Sequence, residues 1–138
     1  MRANRGDTEV HNMKGIEFKV IPHGEQRYET AGDWRVDDNG VWQIRVSKMS
    51  DWRYEFLVFF HEIIEMAYCQ WHNISEEEVT GFDEAYEARR KPDDESEPGD
   101  DIRAPYHQGH QTATFLERAA AFVLHVDWQS YEEEINNL

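Results

Sequence analysis

The sequence predicts an α+β domain: a small antiparallel sheet built on a β-hairpin, followed by three helices. Three observations predict it. Residues 34–46 hold Asn39-Gly40 between two alternating apolar runs, the pattern of a tight hairpin. Residues 51–71 carry apolar side chains at helical spacing over a wide arc. Two further amphipathic stretches follow, opening near Ser75 and near Thr112. The 138 residues suit one domain, read as 15–138 after a polar, flexible arm at 1–14.

In order along the chain, Ile16, Phe18 and Val20 alternate with Glu17 and Lys19, which marks a half-buried strand ended by Pro22 and Gly24. In the hairpin Trp34 and Val36 share one face, as do Trp42, Ile44 and Val46. Ser50 is the expected N-cap of the central helix, with Asp51 in its first turn. That helix gathers Phe56, Leu57, Phe60, Ile63, Ile64, Ala67, Tyr68 and Trp71 on one arc, leaving His61, Glu62, Glu65 and Cys69 on the opposite side, toward a cleft or toward bulk water. Ser75 caps the second helix, whose stripe of Val79, Phe82 and Tyr86 includes Asp83 but not Glu84. Residues 91–104 form an acidic loop whose carboxylates are expected to be solvated. The third helix is expected to open at Gln111 or Thr112 and to turn Phe115, Leu116, Ala119, Phe122, Val123 and Val126 toward the core, with Trp128 and Tyr131 closing the domain.

Charge narrows the function. The formal net charge is −15, which repels a phosphate backbone, so no nucleic-acid partner is expected. The longest wholly apolar run, Phe56 to Phe60, is far too short to span a bilayer. Cys69 is the single cysteine, which fits a reducing, cytoplasmic setting.

The chemistry concentrates in His61-Glu62-Ile63-Ile64-Glu65. At i and i+4 on a helix, His61 and Glu65 point the same way and can share a divalent metal. Helical phase favours Asp83 as a third ligand and sequence spacing favours Glu84. His110, with His107 three residues before it, competes because a tetrahedral zinc site favours nitrogen when a carboxylate already replaces a histidine. Zinc is the expected metal, and because carboxylate-rich ligation is hard and anionic, manganese and iron are alternatives. Cys69 reads as packing before it reads as a fourth ligand. Glu117 reads as an ion pair with Arg118, or as an orienter facing His110.

The run resembles the HExxH helix of zincin metallopeptidases, with Glu65 in place of the second histidine. The order of sheet, HExx helix and second helix with an inward acid is similar as well. The resemblance implies a metal-dependent hydrolase or peptidase, with Glu62 as general base, His61, Glu65 and one or both of Asp83 and His110 as the metal ligands, and a peptide or protein substrate added as a strand along 42–47. Together with Gly81-Phe82-Asp83, Glu97-Pro98-Gly99-Asp100-Asp101, Ala104-Pro105-Tyr106-His107 and Ala113 to Arg118, the motif also resembles a group of small proteins encoded by bacteriophages and prophages, over about residues 16–131. That resemblance implies a bacterial cytoplasmic setting. The rival readings are a non-enzymatic acidic phage protein that binds a basic host partner, and a degenerate zincin keeping its metal for structure.

Overall fold

Alternating apolar residues form three strands, β1 (Gly15–Ile21), β2 (Gly32–Val36) and β3 (Val41–Ser47), in a computed structural model that describes residues 13–138. Most of the arm expected at 1–14 therefore lies outside the described residues. β2 and β3 make the expected hairpin, with Gly40 at φ 81° and the Asp37 carboxylate accepting the N–H groups of Asn39 and Val41 at 2.8 and 3.0 Å. The sheet is mixed rather than antiparallel: its order is β1-β3-β2, with β1 parallel to β3. The segment 22–31 reverses the chain, and β3 then inserts between β1 and β2. This puts Phe18 beside Ile44 and keeps the apolar faces of all three strands on one side.

Four helices follow, one more than expected: α1 (Trp52–His72), α2 (Glu76–Ala88), α3 (His107–Val123) and α4 (Trp128–Asn136). The N-cap of α1 is Asp51, which accepts the Arg53 N–H at 2.9 Å. Ser50 is not available for that role, because its N–H and hydroxyl both go to Glu134 of α4. Asn73 ends α1 in the left-handed conformation, and Ser75 with Glu78 closes a capping box on α2. α3 opens at His107, earlier than expected, so both histidines fall in its first turn.

Trp34, Ile44 and Val46 of the sheet pack with Leu57, Val58 and Met66 of α1, and with Tyr106, Ala121 and Tyr131, in one buried cluster. Each such side chain contributes about 1.5–3 kcal/mol relative to exposure. Two helix faces depart from the expected phase. On α1, His61, Glu65 and Cys69 are buried while Phe56 and Trp71 are 38% and 64% exposed. On α3 the inward stripe is His110, Ala113, Glu117 and Ala121, and Phe115, Phe122 and Val123 lie outside at 72%, 84% and 72% exposure. The reason is close packing of α3 on α1: a Cβ on Gly109 would sit 2.5 Å from the Tyr68 ring. Small residues permit that approach, and the polar groups it buries satisfy one another. No helix among the described residues is long and apolar enough to cross a membrane.

Candidate metal centre

α1 and α3 bring three of the expected residues to one point. His61 Nε2 lies 3.0 Å from Glu65 Oε2, His110 Nδ1 lies 3.1 Å from the same oxygen, and the two nitrogens are 3.2 Å apart. The i, i+4 spacing aligns the first pair, and the first turn of α3 carries the third residue over them. All three side chains are buried and border one cavity of about 500 Å³. A triangle with these edges has its centre about 1.8 Å from each corner, so an ion slightly above its plane would meet the usual distances of about 2.0–2.2 Å to nitrogen and oxygen. Three protein ligands facing a cavity leave a coordination position open, as in catalytic zinc sites.

The outer ring nitrogens are fixed as well. His61 Nδ1 faces Glu117 Oε1 at 2.7 Å, and the Tyr131 hydroxyl donates to Glu117 Oε2 at 2.5 Å. Glu117 therefore orients His61 and not His110, and Arg118 lies over the Trp128 ring, 4.5 Å from its centre, instead of pairing with Glu117. His110 Nε2 faces Glu97 Oε2 at 3.0 Å and Asp100 Oδ1 at 3.2 Å. These two acids of the 91–104 loop are engaged with His110, not merely solvated. Each histidine thus has a carboxylate on the nitrogen turned away from the triangle, the arrangement that sets the tautomer and raises the basicity of a metal-bound imidazole. Gly99 holds the loop against His110, since a Cβ there would sit 2.3 Å from the imidazole Cγ.

Asp83 does not join the triangle. Its carboxylate accepts hydrogen bonds from the hydroxyls of Tyr28, at 3.1 Å, and Tyr106. Glu62 borders the cavity with no hydrogen bond or ion pair among the described residues, packed against Gly32. His107 Nδ1 goes to the Gly99 carbonyl at 2.8 Å and serves the loop. Glu84 is exposed, and Cys69 is buried in the core with its thiol pushed up by burial.

Electrostatics match this geometry. Burial pushes Glu65 up, but hydrogen bonds from His110 and His61 outweigh it and hold the carboxyl at about 2. Burial disfavours charge on both histidines. The carboxylates around them outweigh that cost, raising His61 well above its ordinary value and His110 to about 12. Two imidazoliums facing across 3.2 Å would set N–H against N–H, a conflict that a shared cation with both lone pairs turned toward it removes. Glu62 is raised well above the carboxylate range by burial and then by the charge of Glu65. Asp83 is raised to about 7 by burial, partly offset by the Tyr106 hydrogen bond.

Glu97, Asp100, Tyr28, Tyr106 and Tyr131 are parts of the site that sequence reasoning did not assign. One usable signal was present: Glu117 stands seven residues after His110, on the same helical face. The loop acids carried none, because their approach to His110 depends on how 91–104 folds back. No family model, curated protein or solved structure matches this chain.

Proposed function

We propose that the protein is a zincin-like, metal-dependent hydrolase acting on a peptide or related amide. His61, Glu65 and His110 are its metal ligands and Glu62 is its general base. The observation that carries this reading is the triangle of two imidazole nitrogens and one carboxylate oxygen at 3.0–3.2 Å, with the unpartnered Glu62 on the wall of the same cavity.

When bound, a divalent metal such as zinc would polarise the substrate carbonyl and acidify a water. Glu62 takes the proton as the water oxygen bonds to the carbonyl carbon. It returns that proton to the nitrogen as the C–N bond breaks. Its place on the cavity wall, with no hydrogen-bond or ion-pair partner among the described residues, leaves its carboxylate free for that task. Glu117 and the Glu97/Asp100 pair hold the ligand rings in place.

The substrate strand is placed at β2 rather than along 42–47, because β3 is the middle strand and both of its edges are paired. Ser47 N–H donates to Ala31 O and Asp37 N–H to Val41 O, so alternation turns the main-chain groups of Gly32, Trp34 and Val36 away from β3. Gly32 and Trp34 border the cavity beside Glu62, where an extended backbone would find a strand edge to join.

Elemental analysis of the purified chain is expected to find about one transition metal per molecule, lost in His61→Ala. Peptide hydrolysis is expected to need that metal and to disappear in Glu62→Gln. Protein that refuses zinc and manganese rules out the metal site. Metal-loaded protein that cuts no peptide leaves a structural metal, a second reading favoured by the burial of all three ligands.

A further inference from the structure

We propose that the cavity selects a cationic substrate, a peptide with lysine or arginine close to the bond at the metal site; this deepens the hydrolase reading and rests on it. The walls are acidic on every side. Carboxylates reach the cavity from α1, α2, the 91–104 loop and α4, and among the described residues the lining includes no lysine and one arginine, Arg90. Arg90 is already held by both oxygens of Glu87 at 2.7 Å and by the Asp94 carbonyl. Asp33 is neutralised by Arg27 at 2.6 and 2.9 Å, and Glu97 is turned to His110.

What remains for a ligand is a set of carboxylates with no close cation. Glu62 has no hydrogen-bond or ion-pair partner among the described residues. Glu76 accepts the Val36 N–H and feels Arg27 only through space. Glu95 and Glu133 accept from the side-chain amides of Asn136 and Gln129, which are neutral. A second observation, independent of charge, points to an extended ligand: Gly32 and Trp34, whose main-chain groups turn away from β3, border this cavity, and among the described residues only the Gly32 carbonyl of these groups has a partner, the Thr30 hydroxyl at 2.7 Å. Glu62 packs on Gly32 and Glu76 takes the Val36 N–H, so the open part of the strand edge, at Gly32 and Trp34, runs between these two acids. A strand laid along it would pass its side chains beside both. Glu62 and Glu76, partly buried in the cavity wall, act more strongly than the same charges on open surface, and Glu95 and Glu133 add negative charge at its exposed rim, so an acidic peptide is repelled where a basic one is held.

The test uses zinc-loaded protein carrying Glu62→Gln to stop turnover, and fluorescein-labelled alanine peptides that differ only in carrying two lysines or two glutamates. Anisotropy at roughly 0.15 M salt keeps long-range surface attraction small. The lysine peptide is expected to bind at least about tenfold tighter than the glutamate one. Adding Glu76→Gln and Glu133→Gln in the cavity is expected to cost about tenfold. Glu77→Gln with Glu84→Gln removes as much charge from exposed positions outside the cavity and is expected to change binding less than about twofold. Absent binding, equal binding of the two peptides, or equal losses from the two variant pairs overturns the proposal. Mass spectrometry of a peptide mixture treated with the zinc-loaded wild-type chain separates the two layers. Cuts clustered beside lysine or arginine support the selectivity, and cuts without preference overturn it while leaving the hydrolase. Absent cuts with the lysine peptide still bound overturn the hydrolase reading alone.

Discussion

The two histidines of the triangle are supported in opposite ways. Behind His61 stand Glu117 and Tyr131, which are 6% and 1% exposed and belong to α3 and α4. Behind His110 stand Glu97 and Asp100, whose side chains are about half exposed on a loop. One ligand is tied into the core and the other into a segment that meets solvent. His61 is therefore held from the core and His110 from a solvent-facing loop, so a change in the loop reaches one side of the triangle without breaking core contacts.

The largest effect should come from the buried side. Glu117→Gln leaves His61 Nδ1 and the Tyr131 hydroxyl with a neutral amide in place of a shared carboxylate. It is expected to lower metal affinity by roughly 10–100-fold and stability by about 1–3 kcal/mol, measured by competitive chelation and by urea unfolding. An unchanged urea midpoint would show that the two supports do not differ as described.

Gly99→Ala comes next. Its Cβ would sit 2.3 Å from the His110 Cγ, so the loop must withdraw and take both carboxylates with it. Metal affinity is expected to fall roughly tenfold while the unfolding midpoint stays close to that of the wild type, because the lost contacts lie at the solvent edge. A large loss of stability would instead tie the loop to the core.

Glu97→Gln and Asp100→Asn are milder, since each leaves the other acid on His110 Nε2. Either alone is expected to weaken zinc binding by less than about twofold, since the other acid remains, and the pair together by about as much as Gly99→Ala. Strict additivity of the two losses would argue against a shared role.

The smallest effect on metal binding concerns Asp83, which stands apart from the triangle and acts on stability instead. Its carboxyl is raised from 3.8 to about 7, so the folded state binds the proton more tightly than the unfolded chain does. Its contribution to stability is present below about pH 3.8 and is lost as pH rises through about 7. Asp83→Asn in metal-free protein should flatten that part of the stability curve, gaining on the wild type by about 3 kcal/mol between pH 4 and 7. Parallel curves for the two proteins would show that Asp83 does not titrate in this window.

Local rules accounted for the hairpin at Asn39-Gly40, the Ser75 capping box, and the shared direction of His61 and Glu65, because each depends on residues a few positions apart. They misjudged the phase of α3. Phe115, Phe122 and Val123 outweigh Ala113, Glu117 and Ala121 in any hydrophobic reading of that helix, yet the second set faces inward. Burial there was decided by close approach at Gly109 and by charge partners from α1, α4 and the loop. The position of β3 was hidden for the same reason, since β1 had to join the far edge of a hairpin formed later in the chain.

By itself the sequence determined a helix carrying His61, Glu62 and Glu65 on one face, and a list of distant groups from which a third ligand would come. Only the tertiary structure chose His110 for the triangle, set Asp83 aside on two tyrosines, and placed the motif inside the protein instead of on its wet surface. The i, i+4 relation is fixed by helix geometry and can be read along the chain. Whether an acid and an imidazole forty-five residues apart meet depends on how two helices pack, and that is settled by small residues and buried charge balance over the whole fold.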